Sequence, residues 1–128
     1  MSDNIHLISL NCQGLGQKEK RERLYLWNKH QQCNILFIQE SHLIEKNEHI
    51  INSEVKGKFF HSYGSSQSRG VSIMIKDSLN YKLINEVKDN DGRIILLNIE
   101  VNDNMFTLIN VYAPNVHTNR NKFFKKVN

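Results

Sequence analysis

Cysteine is scarce in this chain: only Cys12 and Cys33 occur among 128 residues. Two thiols without the paired spacing of a zinc site exclude both a disulfide-built scaffold and a cysteine-rich metal module. Their neighbours are apolar or strand-like, so both are expected as reduced thiols in or near the core. Proline is scarcer still. The lone Pro114 leaves no proline-rich linker, and no internal repeat or low-complexity tract divides the chain. Long apolar runs are missing as well. None approaches the roughly 20 residues that a helix needs to cross a bilayer. No N-terminal stretch joins a basic start, an apolar run and a small-residue cleavage site, so a soluble, intracellular protein without a membrane partner is expected. Acidic residues are absent from one region altogether: after Asn115 the sequence has no Asp or Glu.

What is present fits one core. A hydrophobic content of 39% in 128 residues supports one domain, or part of one, and leaves little for a second. Lys and Arg number 17 against 13 Asp and Glu, a net charge of +4, which tilts the expectation toward polyanionic partners. The excess gathers at Lys18, Lys20, Arg21 and Arg23, and again at Arg120, Lys122, Lys125 and Lys126. Both clusters read first as solvated helix faces.

The first part of the chain alternates strand and helix. An apolar run at 5–10 ends in Asn11, and a turn at Gly14-Leu15-Gly16 leads into a charged stretch from Lys18 to about Gln32. Leu24 and Trp27 fall on one helical face there, with Glu19 and Arg23 four apart on another, as in an amphipathic helix. Ile35-Leu36-Phe37-Ile38 follows, four consecutive apolar residues closing in Gln39-Glu40, the pattern of a strand buried on both faces. A short helix is expected over 43–51, and strands over 59–63 and 71–75. The rhythm then turns to hairpins, with strands over 81–87, 94–101 and 105–112. The reversals between them carry Asp89-Asn90-Asp91-Gly92 and Asn102-Asp103-Asn104, the residues such turns need. A last helix is expected over 118–127. The sum is a strand-helix-strand unit continued as an antiparallel meander, in a layered α/β sandwich.

Four segments close these strands in order: Leu10-Asn11-Cys12-Gln13-Gly14-Leu15, Ile38-Gln39-Glu40-Ser41-His42, Gly70-Val71-Ser72-Ile73 and Asn110-Val111-Tyr112-Ala113-Pro114-Asn115. In that order and at those separations the chain resembles the N-terminal part of the endonuclease/exonuclease/phosphatase family. The Gln-Glu-Ser-His and Asn-Val-Tyr-Ala-Pro-Asn forms are most similar to the apurinic-type endonuclease domain of LINE-type retrotransposons. The resemblance runs from about Ile5 to Phe124. It implies the first part of a four-layered, DNase I-like α/β sandwich, truncated before its C-terminal half.

The same resemblance implies a metal-dependent endonuclease acting on DNA, in the nucleus, with Mg²⁺ or Mn²⁺ and no small-molecule cofactor. Oligomeric state is left open. Glu40 is the expected metal ligand, and physical chemistry agrees, since a carboxylate at the end of a continuous apolar strand lies at a sheet rim. Mg²⁺ takes one or two carboxylates and completes its shell with water and phosphate oxygens. Asn11 and Tyr112 are implied beside Glu40 as catalytic groups at the phosphate, and Asn115 as a contact to substrate backbone. Plainer readings stand next to these: an Asx turn for Asn11, half-buried packing for Tyr112, turn formation for Asn115. Gln13 departs from relatives that carry an acidic residue there. His42 belongs to the motif but is not expected as a base, and His6, His30, His49, His61 and His117 are expected as surface or satisfied residues. The family's water-activating Asp-x-Asn and Asp-His pairs find no counterpart, so the 128 residues alone are expected to be inactive. Alternatives are a phosphatase or phosphodiesterase of the same superfamily and a non-catalytic nucleic-acid-binding remnant.

Overall fold

A computed structural model describes residues 4–114; Asn115, His117 and the expected helix over 118–127 lie outside it. The chain opens with strand β1 (Leu7–Asn11), helix α1 (Lys18–Gln31) and strand β2 (Ile35–Gln39), the expected strand-helix-strand unit. A single 3₁₀ turn (Glu45–Asn47) leads into helix α2 (Glu48–Glu54), where one short helix was expected slightly earlier. Strands β3 (Gly57–Ser62) and β4 (Val71–Lys76) follow, and the chain then runs through β5 (Lys82–Lys88), β6 (Ile94–Val101) and β7 (Asn104–Val111).

These strands form two sheets. The first has the order β1-β2-β4-β3, with β1 and β2 parallel and the other pairs antiparallel. The second is the antiparallel meander β5-β6-β7. The alternation of side chains decides what lies between them. Ile35 on β2, Phe60 on β3 and Val71, Ile73 and Ile75 on β4 meet Ile95, Leu97, Ile99 and Val101 on β6 to form the core between the sheets. The opposite face of the first sheet offers Leu36, Ile38, Phe59 and Met74 to Leu24 of α1 and Ile51 of α2. β2 and β4 are therefore covered on both sides, which is why they read as unbroken apolar runs. Both cysteines are free and buried, as expected, with Cys33 fully enclosed.

Helix α1 departs from its expected face. The buried positions are Arg21, Leu24 and Asn28, spaced by three and four residues, while Trp27 remains 38% exposed. Arg21 is thus no part of a solvated basic face. Its guanidinium pairs with Glu54 at the end of α2 through Nε to Oε1 at 2.8 Å and Nη2 to Oε2 at 3.0 Å, and its Nη1 donates to the Leu15 and Gly16 carbonyls. Glu54 also accepts from the Tyr25 hydroxyl. Arg21, and then the Tyr25 hydroxyl, hold the Glu54 carboxyl below its ordinary pKa against the opposing effect of burial. On the exposed side of α1, Lys18 and Glu22 form an ion pair at 3.9 Å.

His61 is a second departure. It lies on β3, buried, with Nδ1 2.6 Å from the Ser72 hydroxyl and Nε2 without a hydrogen-bond partner. Phe59 and Tyr63 stack on its two sides at centroid distances of 5.3 and 5.0 Å. Burial, with a smaller push from Lys88, lowers its pKa to about 4.

Candidate active site at the strand ends

The C-terminal ends of the parallel strands carry the site. Past Asn11 and Gln39 the two chains stay in register, because Cys12 N–H donates to the Gln39 carbonyl, Gly14 N–H to that of Glu40 and Leu15 N–H to that of Ser41. The chain after β2 is tied to the start of β4 as well: Ser41 and His42 donate to the carbonyls of Gly70 and Arg69. Glu40 itself takes a left-handed backbone with φ of 53°. Non-glycine residues seldom adopt that conformation, and it persists where surroundings over-determine it. Of the seven non-glycine residues with positive φ among the described residues, four (Gln13, Glu40, His42 and Arg69) belong to these strand-end segments. Gly14, at φ of 102°, has no room for a side chain: a Cβ there would stand 2.8 Å from the His42 ring nitrogen.

Tyr112 reaches the same place from the second sheet. Its hydroxyl donates to Glu40 Oε1 at 3.0 Å across 72 residues of sequence. Asn110, two residues earlier and on the same face of β7, brings it there. The buried Asn110 side chain donates to the carbonyls of Ile38 at 2.9 Å and Ser72 at 2.8 Å, which are partners on β2 and β4. Its oxygen accepts from Gln39 Nε2 at 2.7 Å, and that nitrogen also lies 3.0 Å from the Ser9 hydroxyl. One amide therefore fastens β7 to two strands of the other sheet. An asparagine in an apolar strand looks like a flaw in the pattern, and the only signal for its role was that a buried amide must find partners.

Asn11 stands in register with Gln39 at the neighbouring strand end, and its Oδ1 accepts the Gln13 backbone N–H at 3.2 Å. That is the Asx turn, and no hydrogen bond joins this amide to Glu40 or Tyr112. The structure thus unites two of the expected groups directly, sets the third beside them in a local turn, and does not describe Asn115. Lys20, at the start of α1, donates to the Cys12 and Gln13 carbonyls, so this basic side chain fastens the loop. Two arginines were missed by the sequence reading. Arg69, Arg93, Ser68, Tyr112 and Pro114 line a cavity of about 330 Å³. Both arginines adjoin turn glycines with positive φ, Gly70 and Gly92, and this pairing with tight turns was the available signal. A larger cavity of about 480 Å³, lined by Tyr25, Asn28 and Lys76 among others, lies at the other end of the first sheet.

Among the described residues no three His, Cys, Asp or Glu side chains gather as a ready metal cage. The donor set at Glu40 is one carboxylate with a phenol beside it. Oxygen donors of this kind suit Mg²⁺, which binds through one or two carboxylates and leaves positions for water and substrate oxygens. Cys12, the residue after Asn11 in the chain, is no rival soft ligand: burial raises its pKa to about 11, against a smaller lowering by Lys20.

Comparison with solved structures identifies the fold. D. rerio TDP2 complexed with a single-strand DNA product superposes with a TM-score of 0.74 at 18% identity, over 98% of this chain and 54% of that one. The chain carries the N-terminal half of a DNase I-like fold. An AP endonuclease from Archaeoglobus fulgidus matches with a TM-score of 0.67 at 18% identity, over 97% of this chain and 49% of its own. The endonuclease domain of TRAS1, a telomere-specific non-LTR retrotransposon, gives 0.65 at 16% identity, over 97% and 54%. In sequence, the transposon TX1 uncharacterized 149 kDa protein of Xenopus laevis is 24% identical over 123 residues, 96% of this chain and 9% of that protein. No family model matches the sequence. The chain thus spans about half of these DNase I-like structures and a small part of its transposon relative. No helix among the described residues is long and apolar enough to cross a membrane.

Proposed function

We propose that this chain supplies the metal-carboxylate half of a metal-dependent endonuclease that hydrolyses phosphodiester bonds in DNA, of retrotransposon origin. The observation that carries the reading is the Glu40–Tyr112 contact, which joins the carboxylate ending β2 to the phenol following β7 at one rim. The superposed structures include two endonucleases and a protein bound to a DNA product, and the sequence relative belongs to a transposon. Both favour nucleic acid over a small phosphate ester.

In this reading Glu40 would hold Mg²⁺ or Mn²⁺, and that ion would supply Lewis-acid stabilisation of negative charge on the phosphate oxygens, worth several kcal/mol in such sites. Tyr112 orients the carboxylate and offers its hydroxyl to a phosphate oxygen. Asn11 shapes the loop over the rim through its Asx turn, and its amide nitrogen is the group left to meet the phosphate. Asn115 follows Pro114 and is assigned to the substrate backbone. Described residues hold no second acidic group at the rim to activate water, so the 128 residues alone are expected not to cut.

The test is nicking of supercoiled plasmid with Mg²⁺, by the 128-residue chain and by a polypeptide extended to the length of a complete DNase I-like domain. The expected result is no nicking by the former, and nicking by the latter that falls at least about 100-fold in Glu40→Gln. Nicking by the long form that survives Glu40→Gln contradicts the assignment.

A further inference from the structure

We infer that the cavity of about 480 Å³ at the far end of the first sheet binds a small planar anion of the nucleoside monophosphate class, with its base edge on Asn28 and its phosphate on the surrounding lysines. β2 and β4 run antiparallel, with Gln39 opposite Val71 and Ile35 opposite Ile75, so Lys76 lies at the end of the sheet remote from Glu40. The site is separate from the strand-end rim. It stands whether or not that rim cuts DNA.

Asn28 carries the inference. It belongs to the buried stripe of α1, is 1% exposed and lines the cavity, and its Oδ1 has no hydrogen-bond partner among the described residues. Buried amides nearly always find partners, and one left alone costs stability unless a ligand or a water completes it. An amide also presents an acceptor beside its donors. That pairing is complementary to a nucleobase edge, and asparagine meets the exocyclic amine and ring nitrogen of adenine in this way.

The rest of the wall suits the rest of such a molecule. Tyr25, Val55 and the buried Met74 offer apolar surface to a flat ring. Lys29, Lys56 and Lys76 border the same space, and Lys76 Nζ donates to the Asn28 backbone carbonyl at 3.5 Å, which sets one ammonium next to the amide. Two carboxylates are present as well. Glu54 is already engaged by Arg21 and the Tyr25 hydroxyl, which leaves the exposed Asp77 against three ammoniums. The local field therefore favours an anion. Small-molecule sites have this make-up, an apolar lining with a few placed polar groups and a shape formed in advance. Here the shape is fixed by the Arg21–Glu54 pair between α1 and α2, and by the Asp77 N–H, which donates to the Lys56 carbonyl at 3.0 Å. A single water would satisfy the Asn28 oxygen but would use neither the apolar wall nor the lysines.

Titration of the isotopically labelled 128-residue chain, followed by nuclear magnetic resonance, tests the site with AMP, adenosine, ribose 5-phosphate and inorganic phosphate. AMP should shift the backbone signals of Lys29, Val55, Lys56 and Lys76 and the side-chain amide of Asn28, while Gly14 and Glu40 stay in place. Adenosine should reach the same residues about tenfold more weakly, for want of the charged contacts. Ribose 5-phosphate should bind more weakly than AMP and leave the Asn28 side-chain signal unmoved. Asn28→Leu, close in volume, should weaken AMP about tenfold by removing the amide. Lys56→Gln, at an exposed position, should weaken AMP about threefold and leave adenosine unchanged. If Asn28→Leu unfolds early on heating, Lys56→Gln and the ranking of the four probes decide. Three results overturn the site: AMP at millimolar concentration that leaves these signals in place, shifts that centre elsewhere in the chain, or inorganic phosphate or ribose 5-phosphate that matches AMP. Adenosine equal to AMP overturns it too, because the lysines then hold no phosphate. None of these readouts involves cleavage, so failure here leaves the Glu40 assignment untouched, and Glu40-independent nicking leaves this site standing.

Discussion

The two sheets are made of similar residues and are treated differently by the fold. The first sheet is covered by helices on one face and by the second sheet on the other, and Ile73 and Ile75 on β4 have no solvent exposure. The second sheet is covered on one face only. Its inward residues Ile95, Leu97 and Ile99 are fully buried, while Val87 and Ile109, which flank Leu96 on the other face, are 52% and 53% exposed. Apolar residues on a sheet therefore do not by themselves indicate a core, and stability should follow the shared face. The same comparison locates the site, since Glu40 comes from the doubly covered sheet and Tyr112 from the singly covered one.

The contrast breaks most sharply under truncation. Ile73→Ala, between the sheets, is expected to cost about 2–5 kcal/mol by denaturant unfolding, from lost burial and an unfilled cavity. Asn110→Ala should cost about 3 kcal/mol and loosen the two sheets, because it leaves buried carbonyls of Ile38 and Ser72 without their donor. Amide exchange at β7 should speed up more than at β2. Acid acts within the first sheet: the His61 pKa of about 4 lies below the ordinary 6.5, so the unfolded chain takes up the proton first as pH falls. Its contribution is complete above pH 6.5 and is lost progressively down to about 4, roughly 3 kcal/mol in all. Unfolding free energies measured against pH should show that slope, and His61→Gln should remove it while leaving any further loss from Glu54 below its ordinary 4.5. The smallest effect belongs to the open face, where Ile109→Thr should change stability by less than about 0.5 kcal/mol. A cost near that of Ile73→Ala would mean that the outer face is covered.

Much of the fold was legible locally. The unbroken apolar run before Gln39-Glu40 marked a doubly buried strand, and the Asn, Asp and Gly residues at 89–92 and 102–104 marked the two reversals, where Gly92, Asn102 and Asp103 all have positive φ. Long-range pairing was not legible. The Arg21–Glu54 pair spans 33 residues and hides in a helix most of whose other charges face water. Trp27 was read on one face with Leu24 but stays 38% exposed, because the buried stripe of α1 runs through Arg21, Leu24 and Asn28 instead. At the site, Glu40 could be read from its strand end, whereas its bond to Tyr112 depends on two sheets meeting, and Asn110 and the arginine pocket appear only once they do.

The central claim is that Glu40, held by Tyr112, is the metal-binding group of this chain. Mn²⁺ added to isotopically labelled protein tests it by paramagnetic broadening in nuclear magnetic resonance, with no dependence on cleavage. Signals of Gly14, Glu40, Ser41 and Tyr112 should broaden at low metal concentration, and in Glu40→Gln they should remain sharp. Broadening that is unchanged in Glu40→Gln, or that centres elsewhere in the chain, contradicts it.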